Sequence, residues 1–307
     1  MKSNNIKGSL ILLTASLIWG LAFVAQSAAA ELVPPFIFNA LRSFIGALAL
    51  YLFWLVTNKD KSFRFLPKER TERKNYYKAA LACGICLAVS INLQQFGIAL
   101  YPENASSEAR AGFITSLYVI LVPIFSVFIK KKIAPAVWLA VVVALAGVYM
   151  LCMSGGISGI YMSDLLIFLC TISFTLHIFA IDKYVGFTGG VKLSILQFLV
   201  CGIISLAPSL IFELGVIDFG NILKAMPQIL YMGIMSSGVA YTFQIVGQKY
   251  AEPAVASISM SFESVFAALG GWLISGNALS NREIIGCVLV FAAIIVAQIP
   301  DFIKNKV

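Results

Sequence analysis

The sequence predicts an all-α membrane protein of ten transmembrane helices arranged as two inverted five-helix repeats. Three observations lead there. Hydrophobic residues make up 60% of the chain and charged residues only 12%, far from the roughly half apolar and one quarter charged of soluble domains. The apolar residues gather into runs close to the ~20 residues that span a hydrocarbon core of about 30 Å. The second half of the chain repeats the first, at an offset that shrinks from 155 to 149 to 146.

The predicted spans, in order, are 8–30, 36–57, 77–100, 109–129 and 135–153, then, after the uncharged glycine-rich connection 154–159, 161–181, 191–213, 227–249, 254–275 and 283–303. The first follows a short basic start and ends in Ala28-Ala29-Ala30, which imitates a signal-peptidase site. Its 23 residues exceed the 7 to 15 of a signal core, and the sixth span matches it, so it is expected to be retained. Only the connection 58–76 is long, which leaves no room for a soluble domain. The two repeat units are residues 1–153 and 160–307.

Orientation follows from charge. With the amino terminus inside, eighteen lysines and arginines fall on the inner side and three (Arg110, Lys224, Arg282) on the outer, with Arg42 inside a helix. The positive-inside rule then puts both termini in the cytoplasm. The formal charge of +8 therefore reports topology, and no nucleic-acid partner is expected. The six cysteines all lie in apolar runs, where they act as small hydrophobes. Cys83-Gly-Ile-Cys86 has redox-motif spacing but lacks the strand-turn-helix context, and neither a metal nor a cofactor is expected.

The repeat carries the functional argument. Residues 81–101 match 230–250 with Leu81/Leu230, Gly84/Gly233, Ile85/Ile234, Gln95/Gln244 and Tyr101/Tyr250 identical, and residues 105–152 match 251–298 without a gap. At offset 155, Trp19 aligns with Phe174 and Arg42 with Gln197. Five spans per unit is an odd number, so the second copy sits upside down, as in transporters whose substrate site lies near the midplane between inverted halves.

Polar residues inside the spans point to that midplane. Ala88, Asn92, Gln95 and Ala99 share one face of the third span, and their partners are Ser237, Tyr241, Gln244 and Gln248. Such stripes either line a groove or hydrogen-bond neighbouring helices. Ionisable residues in mid-membrane face the bundle interior and serve a pathway by default. Arg42 and Glu263 lie about 12 and 15 Å from opposite boundaries at 1.5 Å per residue, at nearly equal depth. They are read as substrate-binding residues with Trp19, Asn92, Gln95, Tyr241 and Gln244, and Glu263 and His177 as proton-coupling candidates. The bland alternatives are an Arg42 that snorkels to headgroups or pairs with Glu263, a neutral helix contact at Glu263, and a hydrogen-bonded packing role for His177.

Several stretches together carry a family resemblance: Leu17-Ile-Trp-Gly20, Ala40-Leu-Arg-Ser-Phe44, Gln95-Phe-Gly-Ile-Ala-Leu100 leading to Ala111-Gly-Phe-Ile-Thr115, and Ser261-Phe-Glu-Ser-Val-Phe-Ala-Ala268. In this order, over almost the whole chain, they resemble the EamA-type branch of the drug/metabolite transporter superfamily. The sequence departs from that pattern at Ser264, where relatives often have proline, and at Gly276-Asn277, where they have Gly-Glu. The resemblance implies a permease of the bacterial inner membrane that moves a small metabolite, commonly outward, by alternating access. An acid and a base in one cavity suit a zwitterion such as an amino acid. The expected partners are a small solute and the lipid bilayer, with the protein a monomer or homodimer. Two other classes compete. An intramembrane enzyme needs a constellation such as His-Glu-x-x-His or Gly-x-Ser-x-Gly, which the sequence lacks. A channel or signalling protein fits an inverted repeat less well.

Overall fold

The computed structural model describes residues 5–58, 65–102, 107–153, 160–186, 188–275 and 280–304; side chains at 5, 107–109, 270–275 and 300–304 are not included. The connection 154–159, turn residues 276–279 and the basic residues Lys2, Lys59, Lys61, Arg64 and Lys306 lie outside the described residues.

Every described regular element is helical. The helices are α1 (Asn5–Ala30), α2 (Pro35–Thr57), α3 (Arg70–Ala99), α4 (Ser107–Ser116), α5 (Tyr118–Phe128), α6 (Pro135–Cys152), α7 (Met162–Tyr184) and α8 (Gly190–Pro208). Then follow α9 (Phe219–Lys224), α10 (Met226–Leu230), α11 (Tyr241–Gln248), α12 (Pro253–Met260), α13 (Glu263–Ser275) and α14 (Asn281–Lys304). Among the described residues nine continuous segments are long and apolar enough to cross a membrane, and Pro253–Leu269 is apolar but shorter. Helices satisfy every backbone group internally, the condition that a hydrocarbon solvent imposes. Large apolar side chains such as Val56, Phe128 and Phe212 are exposed on the outside of the bundle, as contact with lipid requires.

Proline sets several starts. Pro35, Pro135 and Pro253 each occupy the first turn of a helix, where the missing N–H is no loss. The start of α2 is also held from a distance. Both Glu213 carboxylate oxygens accept backbone N–H bonds, from Phe36 and Ile37, at 2.8 Å each. A carboxylate suits the positive end of a helix, and this one fixes the entry of the helix that carries Arg42.

Two predicted spans are broken. The fourth divides at Leu117 into α4 and α5, and the segment from Pro253 divides at Ser261-Phe262 into α12 and α13. Neither break contains proline or glycine. At the second, Ser261 Oγ donates to Ile258 O at 2.8 Å and Ser264 Oγ to Ser261 O at 2.7 Å, back-bonding that bends helices. The eighth predicted span is α10, a π-helical stretch over Tyr231–Ala240, and α11. That wide turn carries Gly233 and Gly238 toward α2.

Helix α1 packs on α11, α12 and α13, while α7 packs on α3, α4 and α5; α2 lies along α8, and α6 along α14. Each half thus sends its first helix into the other. Close approach depends on glycine, as in other membrane bundles. A Cβ on Gly147 would sit 2.8 Å from Gly286 O, which lets α6 and α14 touch backbones. A Cβ on Gly20 would lie 2.7 Å from Glu263 O and Ala267 N. Gly20→Ala must therefore push α13 away from α1, and overpacking of this kind costs about 1–3 kcal/mol. A lower melting temperature in detergent, with transport reduced in step, is the expected result.

Candidate solute site

Where α1, α2, α3, the α4–α5 break, α7, the π-helical turn with α11, and the α12–α13 break face one another, they line a pocket of about 50 Å³, a volume that admits a few water-sized groups. Trp19, Ala22, Phe23 and Gln26 come from α1, Arg42 from α2 and Gln94 from α3. Thr115 and Tyr118 flank the first break, and Met260 and Glu263 flank the second. Phe174 and Ile178 of α7 complete the wall with Met232, Ser236, Tyr241 and Gln244.

Five of the predicted site residues, Trp19, Arg42, Tyr241, Gln244 and Glu263, share this wall. Trp19 and Tyr241 meet edge to face with ring centroids 4.8 Å apart, so one aromatic from each half forms a continuous surface. Arg42 is 2% exposed and its guanidinium lies 5.8 Å from the Phe38 ring. Its Nε has no hydrogen-bond partner. Glu263 is 5% exposed and accepts a hydrogen bond from Tyr118 Oη at 3.0 Å. Arg42 and Glu263, whose pairing the sequence leaves open, share a cavity without pairing: the ion pairs among the described residues are Arg110–Asp164 and Lys131–Asp182.

The remaining candidates lie elsewhere. Asn92 is buried between helices, where its amide donates to Ala88 O and Ser205 Oγ, each at 2.8 Å, and its oxygen accepts from Asn39 at 3.0 Å. Gln95, which the repeat placed on the cavity with Gln244, instead donates to Gln26 O at 3.1 Å and is fully buried. The neighbouring Gln94 faces the space, because one helical step of about 100° separates the two side chains. His177 is also fully buried, 3.1 Å from Gln197 Oε1, with its ring 6.0 Å from that of Tyr241. It stands behind the wall, outside the lining residues.

Sequence reasoning did not single out Gln26, Gln94, Tyr118, Thr115 or Ser236. Tyr118 had one available signal, its place beside Leu117, the repeat counterpart of Glu263. Four polar atoms of lining side chains remain without partners: Trp19 Nε1, Gln26 Oε1, Arg42 Nε and Gln244 Oε1. Buried polar groups are normally satisfied; these four are not, a condition they share with buried atoms away from the void such as His177 Nδ1 and Ser126 Oγ.

Apolar helices of membrane-spanning length, packed around a pocket with an aromatic wall, define a multi-pass membrane protein. The profile of the EamA-like transporter family matches residues 6–153 and again 161–298, and the chain belongs to that family. It is 27% identical over 290 residues to an uncharacterized transporter of Archaeoglobus fulgidus, covering 92% of this chain and 83% of that protein. It is 23% identical over 297 residues to the uncharacterized transporter YoaV of Bacillus subtilis, covering 94% and 96%. A solved crystal structure superposes with a TM-score of 0.76 at 21% identity over 95% of this chain and 98% of the other, a likeness of fold.

Proposed function

We propose that this transporter carries a small organic metabolite, an amino acid or related solute, outward across the bacterial inner membrane by alternating access. One observation carries the reading: a guanidinium and a carboxyl face the same void without pairing, Arg42 with an open Nε donor and Glu263 held only by Tyr118. A buried charge without a counter-ion is costly, and a zwitterion offers a carboxylate to Arg42 and an ammonium to Glu263. The aromatic and methionine side chains, Trp19, Phe23, Phe174, Met232 and Met260, supply contact for the solute's body. The wall is read as a binding surface for a carrier, not as an enzyme's catalytic centre. Glu263 is the proton-exchanging group in this reading.

The same proposal includes ten crossings in two inverted units, 1–153 and 160–307, working as a monomer or homodimer. Helices α12 and α13 together form the ninth crossing, interrupted at Ser261-Phe262. The double family match, one per half, and the breaks at nearly equivalent repeat positions support this arrangement. Two measurements test it. Purified protein in liposomes is expected to exchange a labelled amino acid or related solute, and absence of solute-dependent flux across a metabolite panel would end the transporter assignment for such solutes. Reporter fusions after Lys306 and near Lys68 are expected in the cytoplasm and one near Gly156 outside; an external signal at Lys306 contradicts an even number of spans.

A further inference from the structure

Helix α2 begins without a cap from its own neighbourhood. Pro34 makes no side-chain bond, Pro35 has no N–H, and the Phe38 N–H already reaches Pro34 O at 3.1 Å. A helix start leaves its first N–H groups without intrahelical partners, so two remain here, those of Phe36 and Ile37. One side chain takes both. Glu213 accepts from them through its two carboxylate oxygens at 2.8 Å each, across 177 and 176 residues of sequence. It is 5% exposed and belongs to the second of the two stretches that the family profile matches, whereas α2 belongs to the first.

Two consecutive N–H groups on one carboxylate fix α2 in rotation and in height, because a slip of one residue turns a helix by about 100° and moves it 1.5 Å. A second tie lies one turn further on. Asn39 Nδ2 donates to Ile91 O and to Asn92 Oδ1, each at 3.0 Å, and Asn92 in turn donates to Ser205 Oγ at 2.8 Å. Ser205 and Glu213 share the continuous segment Gly190–Glu213, so α2, α3 and that segment form a closed set of bonds around the first turns of α2. A Cβ on Gly202 would sit 2.8 Å from the Phe44 ring, which lets the same two helices pack closely. Arg42 follows Asn39 by one turn. It is 2% exposed, and none of the described acids pairs with it. Pro34 is only about 12 Å away along the axis at 1.5 Å per residue, and long cationic side chains reach toward the nearer headgroups when their helix allows it.

We propose that Glu213 is a positioning residue for Arg42: its carboxylate, capping α2 from the other repeat, holds that helix at the rotation and height that turn the guanidinium into the pocket. Because the capping acid and the arginine belong to different repeats, a displacement of one repeat against the other acts on Arg42 through α2. The inference rests on the proposed function only where Arg42 meets a solute; the position of the guanidinium is measurable without one.

The test follows modification of arginine by p-hydroxyphenylglyoxal on the full-length protein in detergent, with each peptide quantified by mass spectrometry. Glu213→Gln leaves one acceptor for two N–H groups. Its Arg42 is expected to react about tenfold faster than in wild type, mid-range for residues coupled through a shared backbone shift, while Arg110, 8% exposed in its ion pair with Asp164, keeps its rate. Glu213→Asp, which keeps the carboxylate on a shorter stem, raises the Arg42 rate less and serves if the Gln variant does not fold. A merely structural acid would loosen the bundle and speed both arginines alike. Wild-type reactivity of Arg42 in both variants, with melting curves showing folded protein, overturns the positioning role, and so does an equal rise at Arg42 and Arg110. A second arm uses exchange in liposomes with alanine and its carboxamide as probes. Glu213→Gln should weaken alanine and spare alaninamide, and it should add nothing in an Arg42→Gln background. If Arg42 reactivity changes as expected and the two probes do not separate, the positioning role stands and the amino-acid reading of the pocket fails instead.

Discussion

Glu263→Gln is expected to reduce pH-gradient-driven transport to the level of protein-free liposomes while solute-for-solute exchange continues. Glutamine keeps the shape of the side chain and an acceptor for Tyr118, whose hydroxyl lies 3.0 Å from the carboxylate, but it cannot titrate. Among the described residues no cation forms an ion pair with Glu263, so gaining or losing a proton requires none of their salt bridges to break. Its place at the cavity, on the first turn after a helix break, sets the carboxyl beside the solute space of the proposed mechanism. Broken helices beside a midplane cavity are where transporters place coupling groups. Glu263→Ala should differ in kind. It leaves the buried Tyr118 hydroxyl without its acceptor, at a cost of about 1–3 kcal/mol, and lowers the melting temperature as well as transport. Retention of full pH-dependent accumulation by the Gln variant would end the proton-carrier role and leave the fold untouched.

The second large effect is expected at Arg42. Arg42→Gln should weaken binding of a carboxylate-bearing solute roughly 10- to 150-fold, the equivalent of the ~1.5–3 kcal/mol that a hydrogen bond to a charged group contributes. Stability should move the other way or stay level. Arg42 is 2% exposed, its Nε has no hydrogen-bond partner, and it has no acidic partner among the described residues, so its removal relieves a buried charge that none of them compensates. Titration calorimetry and thermal melts on the same preparation separate the two quantities. Lost affinity with an unchanged or higher melting temperature marks a binding residue; a fall in melting temperature with affinity intact would mark Arg42 as structural.

Much of this architecture was legible because membranes impose simple rules. Apolar run lengths located the helices, and an aligned repeat ordered them. The same reasoning brought Trp19, Arg42, Tyr241, Gln244 and Glu263 to one region, since ionisable and amphipathic groups in hydrocarbon must face inward. It did not separate the cavity wall from the helix contacts just behind it. A polar stripe is satisfied by either, and Asn92, Gln95 and His177 found partners in Ser205, the Gln26 carbonyl and Gln197. The helix breaks were also hidden. Thr115-Ser116-Leu117 and Met260-Ser261-Phe262 contain no proline or glycine, and a serine that bonds its own helix reads the same in sequence as one that bonds a neighbour. The π-helical turn over Tyr231–Ala240 has no sequence mark beyond its glycines and serines.

The unequal decoration of two similar halves has a consequence for stoichiometry. A cavity assembled from two separate copies of one half would hold every wall residue twice: two guanidiniums with two tyrosines, or two carboxyls, crowded around a pocket of about 50 Å³. Like charges at such distances suppress each other's ionisation, and such a site can present only even numbers of each group. Joining the halves in one chain removes that restriction. Leu117 stands where Glu263 has its counterpart, and Gln197 where Arg42 has its own, so the void holds one acid and one base. In the proposed mechanism a single solute then meets a single orientation, and each transport cycle has one carboxyl to load and unload.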